Sequence, residues 1–305
     1  MEITFLGTGA GVPSKKRNVS SIALSMLQER NEVWLFDCGE ATQHQILNTT
    51  IKPRKIAKIF ITHMHGDHVF GLPGLLSSRS FQEGKLPVEI YGPESVKTYV
   101  ETALKTSQTH LQYKIYFKDV KEGILFEDDQ LKVSAIKLKH GVPSYGYIIE
   151  QHDSIGPLLP EKLKEKGVMP GPTYQLIKEN EKIKLDGGTV IIRDEVTGPP
   201  IKGKKIAILG DTLPVQSIVE QIKHADVLIH EGTFKHEDEK LAKDYYHSTA
   251  VQAAEIAKQA HVKQLLLTHV SSRYHQDDLI EELNIVKRIF PQTEFAYDFY
   301  TYTIE

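Results

Sequence analysis

The chain has 305 residues, 40% of them hydrophobic and 25% charged, enough material for one large α/β domain or two ordinary ones. Its net charge of −3 excludes a global basic field of the kind that draws nucleic acid to a whole surface. The single cysteine excludes an intramolecular disulfide, and no apolar run reaches the length of a membrane span. The N-terminus lacks a basic leader with an apolar stretch, so a cytoplasmic protein is expected.

The first third of the chain opens with strands around a glycine-rich loop. Residues 3–6 lead into the loop 7–13, a second strand covers about 20–27, and a third covers 33–36 and ends at Asp37. The loop matches a dinucleotide fingerprint only loosely, and no helix follows it. Cys38, at the end of an apolar run, reads as a packed residue rather than a reactive thiol. Residues 40–47 have helical spacing. Positive charge is clustered locally, at Lys15, Lys16 and Arg17 and again at Lys52, Arg54, Lys55 and Lys58. Such runs are usually solvated faces, but these two flank sequences that lead into the next feature.

Residues 58–62 are β-branched and aromatic, a short buried strand, and His63, Met64, His65, Gly66, Asp67 and His68 follow directly. Three of the fourteen histidines fall within these six positions, too dense for a chance polar loop. His63 and His65 can converge on one ion from an extended segment, and Gly66 lets the chain turn so that Asp67 and His68 aim at a neighbouring point. Neutral imidazoles with a carboxylate suit zinc and similar divalent ions. This is read as a metal site.

A helix is expected over 71–81, a strand over 88–91, a helix over 95–105, paired strands over 113–117 and 131–138, and a strand over 145–150. Residues 151–205 differ in character. Six prolines (157, 160, 170, 172, 199 and 200) and several glycines separate short amphipathic pieces, and 161–205 hold ten Lys or Arg against seven Asp or Glu. This composition predicts an inserted flexible arm in a chain that is otherwise a single domain. Alternation then resumes, with strands at 206–209, 227–229 and 264–268. A helix opens after His247 with Thr249 and Gln252 at capping-box spacing, and a helix over 277–289 and a strand over 294–299 close the chain.

Asp37, His63, His140, Asp211 and His269 each follow a short apolar strand. Side chains at strand ends are held by a rigid sheet yet reach solvent, as convergent ligands must. Residues 63–68 match the His-x-His-x-Asp-His motif of the metallo-β-lactamase superfamily. Within it the whole chain resembles the short form of the ribonuclease Z family. The loop Pro13, Ser14, Lys15, Lys16, Arg17, Asn18 and the ending Thr268, His269, Val270, Ser271, Ser272, Arg273, Tyr274 are the more particular matches. Gly232 departs from the family's usual alanine.

The resemblance implies an α/β fold, the four-layer αββα metallo-β-lactamase sandwich with an extended tRNA-binding arm over 151–205. It also implies two zinc ions (Zn2+) per subunit: His63, His65 and His140 on one, Asp67, His68 and His269 on the other, and Asp211 bridging. The implied reaction is endonucleolytic removal of the 3′ trailer of precursor tRNA after the discriminator base, leaving a 3′-hydroxyl. Asp67 would serve as base and His247 as general acid oriented by Glu231. Lys15, Arg17 and Asn18 would sense a 3′ CCA end, Gly171 and Pro172 would mark the tRNA clamp, and Arg273 could contact a phosphate. A homodimer is implied by the resemblance alone. Two alternatives stand beside this reading: another hydrolase of the fold acting on a small phosphodiester or lactone, which would need neither arm nor basic loop, and a non-catalytic RNA-binding protein with a structural metal.

Overall fold

The structure is a computed structural model and describes residues 1–185 and 187–304. The strands, in chain order, are β1 (Glu2–Gly7), β2 (Gly9–Ala10), β3 (Ser21–Met26), β4 (Glu32–Phe36), β5 (Ile56–Phe60), β6 (Val88–Gly92), β7 (Ile115–Asp119), β8 (Gly123–Glu127), β9 (Leu131–Lys137), β10 (Tyr145–Gln151), β11 (Lys182–Lys184), β12 (Val190–Ile192), β13 (Lys205–Leu209), β14 (Val227–Glu231), β15 (Gln264–Thr268), β16 (Val270–Ser271), β17 (Thr293–Phe295) and β18 (Thr301–Thr303). The helices are α1 (Thr42–Ile46), α2 (Gly66–Val69), α3 (Leu72–Phe81), α4 (Ser95–Thr106), α5 (Pro160–Glu165), α6 (Pro172–Glu179), α7 (Arg193–Val196), α8 (Glu239–Asp244), α9 (Ala250–Gln259) and α10 (Gln276–Ile289).

Two seven-stranded sheets carry the fold, in the orders β18-β1-β3-β4-β5-β6-β7 and β17-β15-β14-β13-β10-β9-β8. The first is antiparallel from β18 to β4 and parallel from β4 to β7. In the second, β13, β14, β15 and β17 run parallel and β8 pairs antiparallel with β9. Between the sheets lies an aromatic layer. Phe60 stacks on Phe36 and on Tyr91 at 4.9 Å, and Tyr147 from the second sheet meets Phe60 at 5.1 Å. Each such ring pair adds about 0.5–1.5 kcal/mol beyond its buried area.

Helices cover the outer faces. Leu72, Leu75 and Leu76 of α3 and Val96 and Val100 of α4 join the core of the first sheet. Ala250, Ala253, Ala254 and Ala257 of α9 face the second, and their small side chains let the helix sit close. The expected capping box of α9 is present: Thr249 accepts from the Gln252 amide and Gln252 returns a bond to Thr249. Loss of such a cap costs about 1 kcal/mol.

The chain divides into two compact units, one of Met1–Glu127, Lys132–Ile149 and Lys205–Glu305, the other of Asp128–Leu131 and Glu150–Lys204. The second contains α5, α6, the antiparallel hairpin β11–β12 and α7, around a small core of Leu163, Val168, Ile177, Ile191 and Val196. Its amphipathic pieces thus bury their apolar faces against one another.

Two expectations need correction. The runs at 113–117 and 131–138 are not paired: β7 lies beside β6 at the edge of the first sheet, whereas β9 lies in the second between β8 and β10. The partner of β9 is β8, whose mostly exposed residues gave little alternation to read. The single final strand over 294–299 is instead β17 and β18, in different sheets. Between them the chain turns at Phe299, which has a left-handed φ of 70°.

Candidate metal centre

The site is built from turns at the ends of strands. Asp37 follows β4 with a left-handed φ of 59°, and His269 follows β15 with φ 56°. Two non-glycine residues in this sparse region, both at one site, mark a place where packing over-determines the backbone. The turn after β4 and the histidine motif are laced together, since the Cys38 amide donates to the His68 carbonyl at 2.8 Å and the Gly71 amide donates to the Cys38 carbonyl at 3.0 Å. Only glycines permit this approach. A Cβ on Gly71 would stand 1.9 Å from the Gly39 oxygen, and one on Gly39 would stand 2.3 Å from the Asp67 oxygen. His65 lies at the N-terminal boundary of α2, whose single turn carries Asp67 and His68.

Two groups of ligand-type atoms result. His63 Nε2 lies 3.1 Å from His65 Nδ1, which lies 3.2 Å from His140 Nε2. In the other, His269 Nε2 is 3.3 Å from Asp67 Oδ2 and 3.3 Å from His68 Nε2. Asp211 Oδ2 reaches both groups, at 3.6 Å from His63 and at 3.4 and 3.3 Å from His68 and His269. Four bonds of about 2.0–2.1 Å in a tetrahedron place ligand atoms about 3.3 Å apart, so the donor spacing fits divalent ions.

The protons on the imidazoles are fixed from behind. Asp37 Oδ2 accepts from His68 Nδ1 at 2.7 Å and from the Thr62 hydroxyl at 2.8 Å, and that hydroxyl lies 3.0 Å from His63 Nδ1. A carboxylate only accepts, so the Thr62 proton is committed to Asp37 and the hydroxyl must accept from His63 Nδ1–H. Glu231 repeats the scheme on the other sheet. It accepts from the Thr233 hydroxyl at 2.5 Å, and that hydroxyl is 2.9 Å from His269 Nδ1. His140 Nδ1 lies 2.9 Å from the Tyr246 carbonyl. In His63, His68, His140 and His269, Nδ1 therefore carries a proton and Nε2 is the inward-facing nitrogen, the one a metal ion would take.

Burial opposes charge on Asp211, but His269, His68 and His63 outweigh it and hold its pKa well below the usual carboxylate range. Asp67 is lowered in the same way, against burial, by the hydrogen bond from His269 and the charge of His68. Burial would keep His68 neutral, yet Asp211 and Asp37 raise its pKa well above 6.5. His247 Nδ1 sits 3.0 Å from Glu231 Oε1. Burial lowers its pKa, and Glu231 and Asp211 more than offset this, lifting it to about 9. Glu231 also accepts from the amides of Thr212 and Ser248 at 2.7 and 3.1 Å, so this carboxylate, 1% exposed, is fully bonded.

The residues expected to bind substrate are spread more widely. Lys15 is exposed, whereas Arg17 donates to the Thr8 hydroxyl and the Ala296 carbonyl at 2.7 and 2.6 Å. Asn18 donates to the Glu40 carbonyl. Arg273 is exposed with its guanidinium over Phe234, 5.3 Å from the ring. Gly171 and Pro172 are exposed at the start of α6, in the second unit. The second basic cluster is engaged with neighbours: Lys58 pairs with Glu89, Arg54 with Glu83, and Lys55 donates to Asn31. Sequence reasoning assigned no role to Thr62 and Thr233. The only available signal was their position, one beside His63 and the other two residues past Glu231.

Comparison with known proteins identifies the family. The family described as Anti-Pycsar protein Apyc1 matches residues 1–156, and the Beta-lactamase superfamily domain matches residues 190–270. Proteins named Ribonuclease Z match the whole chain. That of Bacillus licheniformis is 54% identical over all of this chain and 99% of its own length, and that of Oceanobacillus iheyensis is 56% identical over all of both. The solved human tRNase Z, short form, superposes with a TM-score of 0.72 at 31% identity, covering all of both chains. A long-form RNase Z from yeast shares the fold at a TM-score of 0.70 and 17% identity, covering 99% of this chain and 42% of that one. With identity above one half along its entire length and a histidine–aspartate centre at its strand ends, the chain belongs to the ribonuclease Z family of the metallo-β-lactamase superfamily.

Proposed function

We propose that the chain is an endonuclease that cuts precursor tRNA after the discriminator base, leaving a 3′-hydroxyl on the tRNA. The carrying observation is the pair of donor clusters sharing Asp211, three imidazole nitrogens on one side and Asp67, His68 and His269 on the other. His63, His65 and His140 would hold one zinc ion, Asp67, His68 and His269 a second, and Asp211 would bridge them. Bound there, two divalent ions supply Lewis acidity, neutralising phosphate charge and acidifying water.

The chain's own residues supply positioning and proton transfer. Asp67, kept ionised, takes a proton from the attacking water. The leaving group is a ribose 3′-oxygen, which departs poorly unless protonated. His247, held at Nδ1 by Glu231, presents Nε2 for that donation, and its raised pKa of about 9 keeps it charged at neutral pH. Glu231 stays anionic and stabilises the imidazolium.

RNA binding falls to local features, since the net charge of −3 gives no general attraction. A groove of about 700 Å³, lined by Lys15, Lys16, Tyr274, His275 and Tyr297 among others, begins two residues from His269. It offers cations for phosphates and rings for bases. The second unit, with Gly171 and Pro172 exposed, is the proposed tRNA clamp. No helix among the described residues is long and apolar enough to cross a membrane; the proposed setting is the cytoplasm. The proposed assembly is a homodimer, supported by Leu47, Phe70 and Phe81, exposed large apolar side chains in or next to α1, α2 and α3. Purified protein assayed on precursor tRNA and on a small aryl phosphodiester tests the reading. Cleavage of the ester alone would overturn the tRNA assignment.

A further inference from the structure

Residues 11–18 form a loop whose two ends are tied to different carboxylates. At one end the Gly11 amide donates to Asp67 Oδ2 at 2.7 Å, and at the other the Asn18 amide donates to Asp298 Oδ2 at 2.6 Å. Between these ties the loop is held by its own bonds as far as Arg17, whose guanidinium, next to the Asp298 end, also donates to Thr8 and the Ala296 carbonyl. The Ser14 amide donates to the Arg17 carbonyl at 2.8 Å, and the Ser14 hydroxyl accepts from the Lys16 and Arg17 amides. Space opens on both flanks: the groove of about 700 Å³ on the side of Tyr274 and Tyr297, and a second cavity of about 300 Å³ lined by Gln45, Asp298 and Phe299. A strap with cavities on both sides takes its position from its end points.

Asp298 is the more elaborate of the two anchors. Besides Asn18 it accepts from the Thr8 hydroxyl at 2.7 Å and from Gln45 Nε2 at 3.0 Å. Gln45 is itself fixed by donating to the Leu6 carbonyl at 2.8 Å. Arg17 donates to the same Thr8 hydroxyl and to the Ala296 carbonyl. The carboxylate therefore binds the loop, the segment after β1, helix α1 and the turn between β17 and β18 into one node. Asp298 touches none of the site histidines in any of these bonds, but the strap it anchors ends on Asp67.

We propose that Asp298 is a positioning residue for recognition of the RNA 3′ end, fixing the strap that carries Lys15 and Lys16 and, through Gly11, its register against Asp67. This rests on the reading that residues 13–18 meet the RNA 3′ end. Without Asp298 the Asn18 amide loses its acceptor, the strap samples other positions, and its cations no longer meet one RNA geometry. Arg17, bonded to Thr8 and Ala296, acts within the same node rather than reaching RNA.

The test compares wild type, Asp298→Ala, Asp298→Asn and the double variant Lys15→Ala/Lys16→Ala. Each is assayed for kcat/KM on precursors with and without a CCA sequence after the discriminator, and wild type and the two Asp298 variants also for the rate of trypsin cleavage at Lys15–Arg17. In Asp298→Ala the ratio of the two kcat/KM values should move about tenfold toward unity, the scale of removing one charge-assisted hydrogen bond, and the strap should be cut faster. Asp298→Asn keeps an acceptor oxygen and should recover part of the ratio. General destabilisation would lower both precursors alike and leave the ratio in place, which would overturn the proposal; if the alanine variant does not fold, the asparagine variant decides by the same ratio. A changed ratio in the double lysine variant beside an unchanged one in both Asp298 variants overturns the role of Asp298 and leaves the RNA reading standing. An unchanged ratio in all of them sinks both.

Discussion

The hydroxyl of Thr233 stands between Glu231 and His269, 2.5 Å from the carboxylate and 2.9 Å from the imidazole Nδ1. Thr62 stands in the same way between Asp37 and His63. Each carboxylate also takes one imidazole directly, His247 for Glu231 and His68 for Asp37. Two threonine-mediated relays, one at the edge of each sheet, thus set the tautomers of the centre. Thr233→Val keeps the shape and removes the hydroxyl, leaving His269 Nδ1 without its partner, while Glu231 Oε2 keeps the Ser248 amide and His247. Metal affinity or kcat should fall about 10–100-fold, the usual range when a partner behind a ligand is removed. Thr233→Ser should recover most of it. Equal behaviour of the valine and serine variants in metal titration and kinetics would show that the hydroxyl does not orient His269.

With His68 as a proposed ligand, proton and metal compete for its imidazole. Burial disfavours its charged form, but Asp211 and Asp37 raise its pKa well above 6.5, and a ligand nitrogen must be unprotonated. Zinc affinity should therefore rise with pH through and beyond 6.5, with proton release on binding. Isothermal titration in buffers of different ionisation enthalpy checks both. In an Asp37→Asn variant the proton on His68 is held less firmly, so the slope of affinity against pH should flatten. An unchanged slope would show that His68 is not the competing group.

Much of the site was legible because its residues share one placement. Asp37, His63, His140, Asp211 and His269 all follow apolar strands, and hydrophobic runs are what a sequence displays most openly. The capping box at Thr249 was readable for the same reason, as a local pattern with a local consequence. The edges were harder. β8 has three exposed residues of five, so its alternation vanished and β9 was given the wrong partner. The turn at residues 296–300 is held by long-range bonds, such as Phe299 to the Phe5 carbonyl, which no local pattern announces. Asp298 was silent for that reason too, since its partners Thr8, Asn18 and Gln45 lie more than 250 residues away.

The proposed roles of His65 as ligand and His247 as proton donor can be told apart by experiment. His65 Nδ1 lies between His63 Nε2 and His140 Nε2, so His65→Ala should lose bound metal and nearly all cleavage while the sheets keep the protein folded. His247→Ala should retain the metal and lose rate, about a hundredfold or more for a general acid. Metal analysis beside single-turnover kinetics distinguishes them. Loss of metal from the His247 variant would make that residue a ligand, or a support for one, instead.

The proposed clamp role of the second unit predicts a clean division between binding and chemistry. Its core of Leu163, Val168, Ile177, Ile191 and Val196 is separate from the cores of the two sheets, and no member of the two donor clusters belongs to it. Replacing residues 158–199 with a short Gly/Ser linker should therefore leave hydrolysis of a small aryl phosphodiester close to wild type. Binding of precursor tRNA should weaken strongly, and the dependence of its affinity on salt should flatten by roughly one unit of log–log slope for each phosphate that is no longer neutralised. The salt slope is the decisive readout, because a destabilised sheet core would lower activity on both substrates without changing the number of counterions released. If the shortened enzyme cuts precursor tRNA and the ester as the full chain does, with the same slope, the unit is no clamp and RNA is held by the sheets and the basic loop alone.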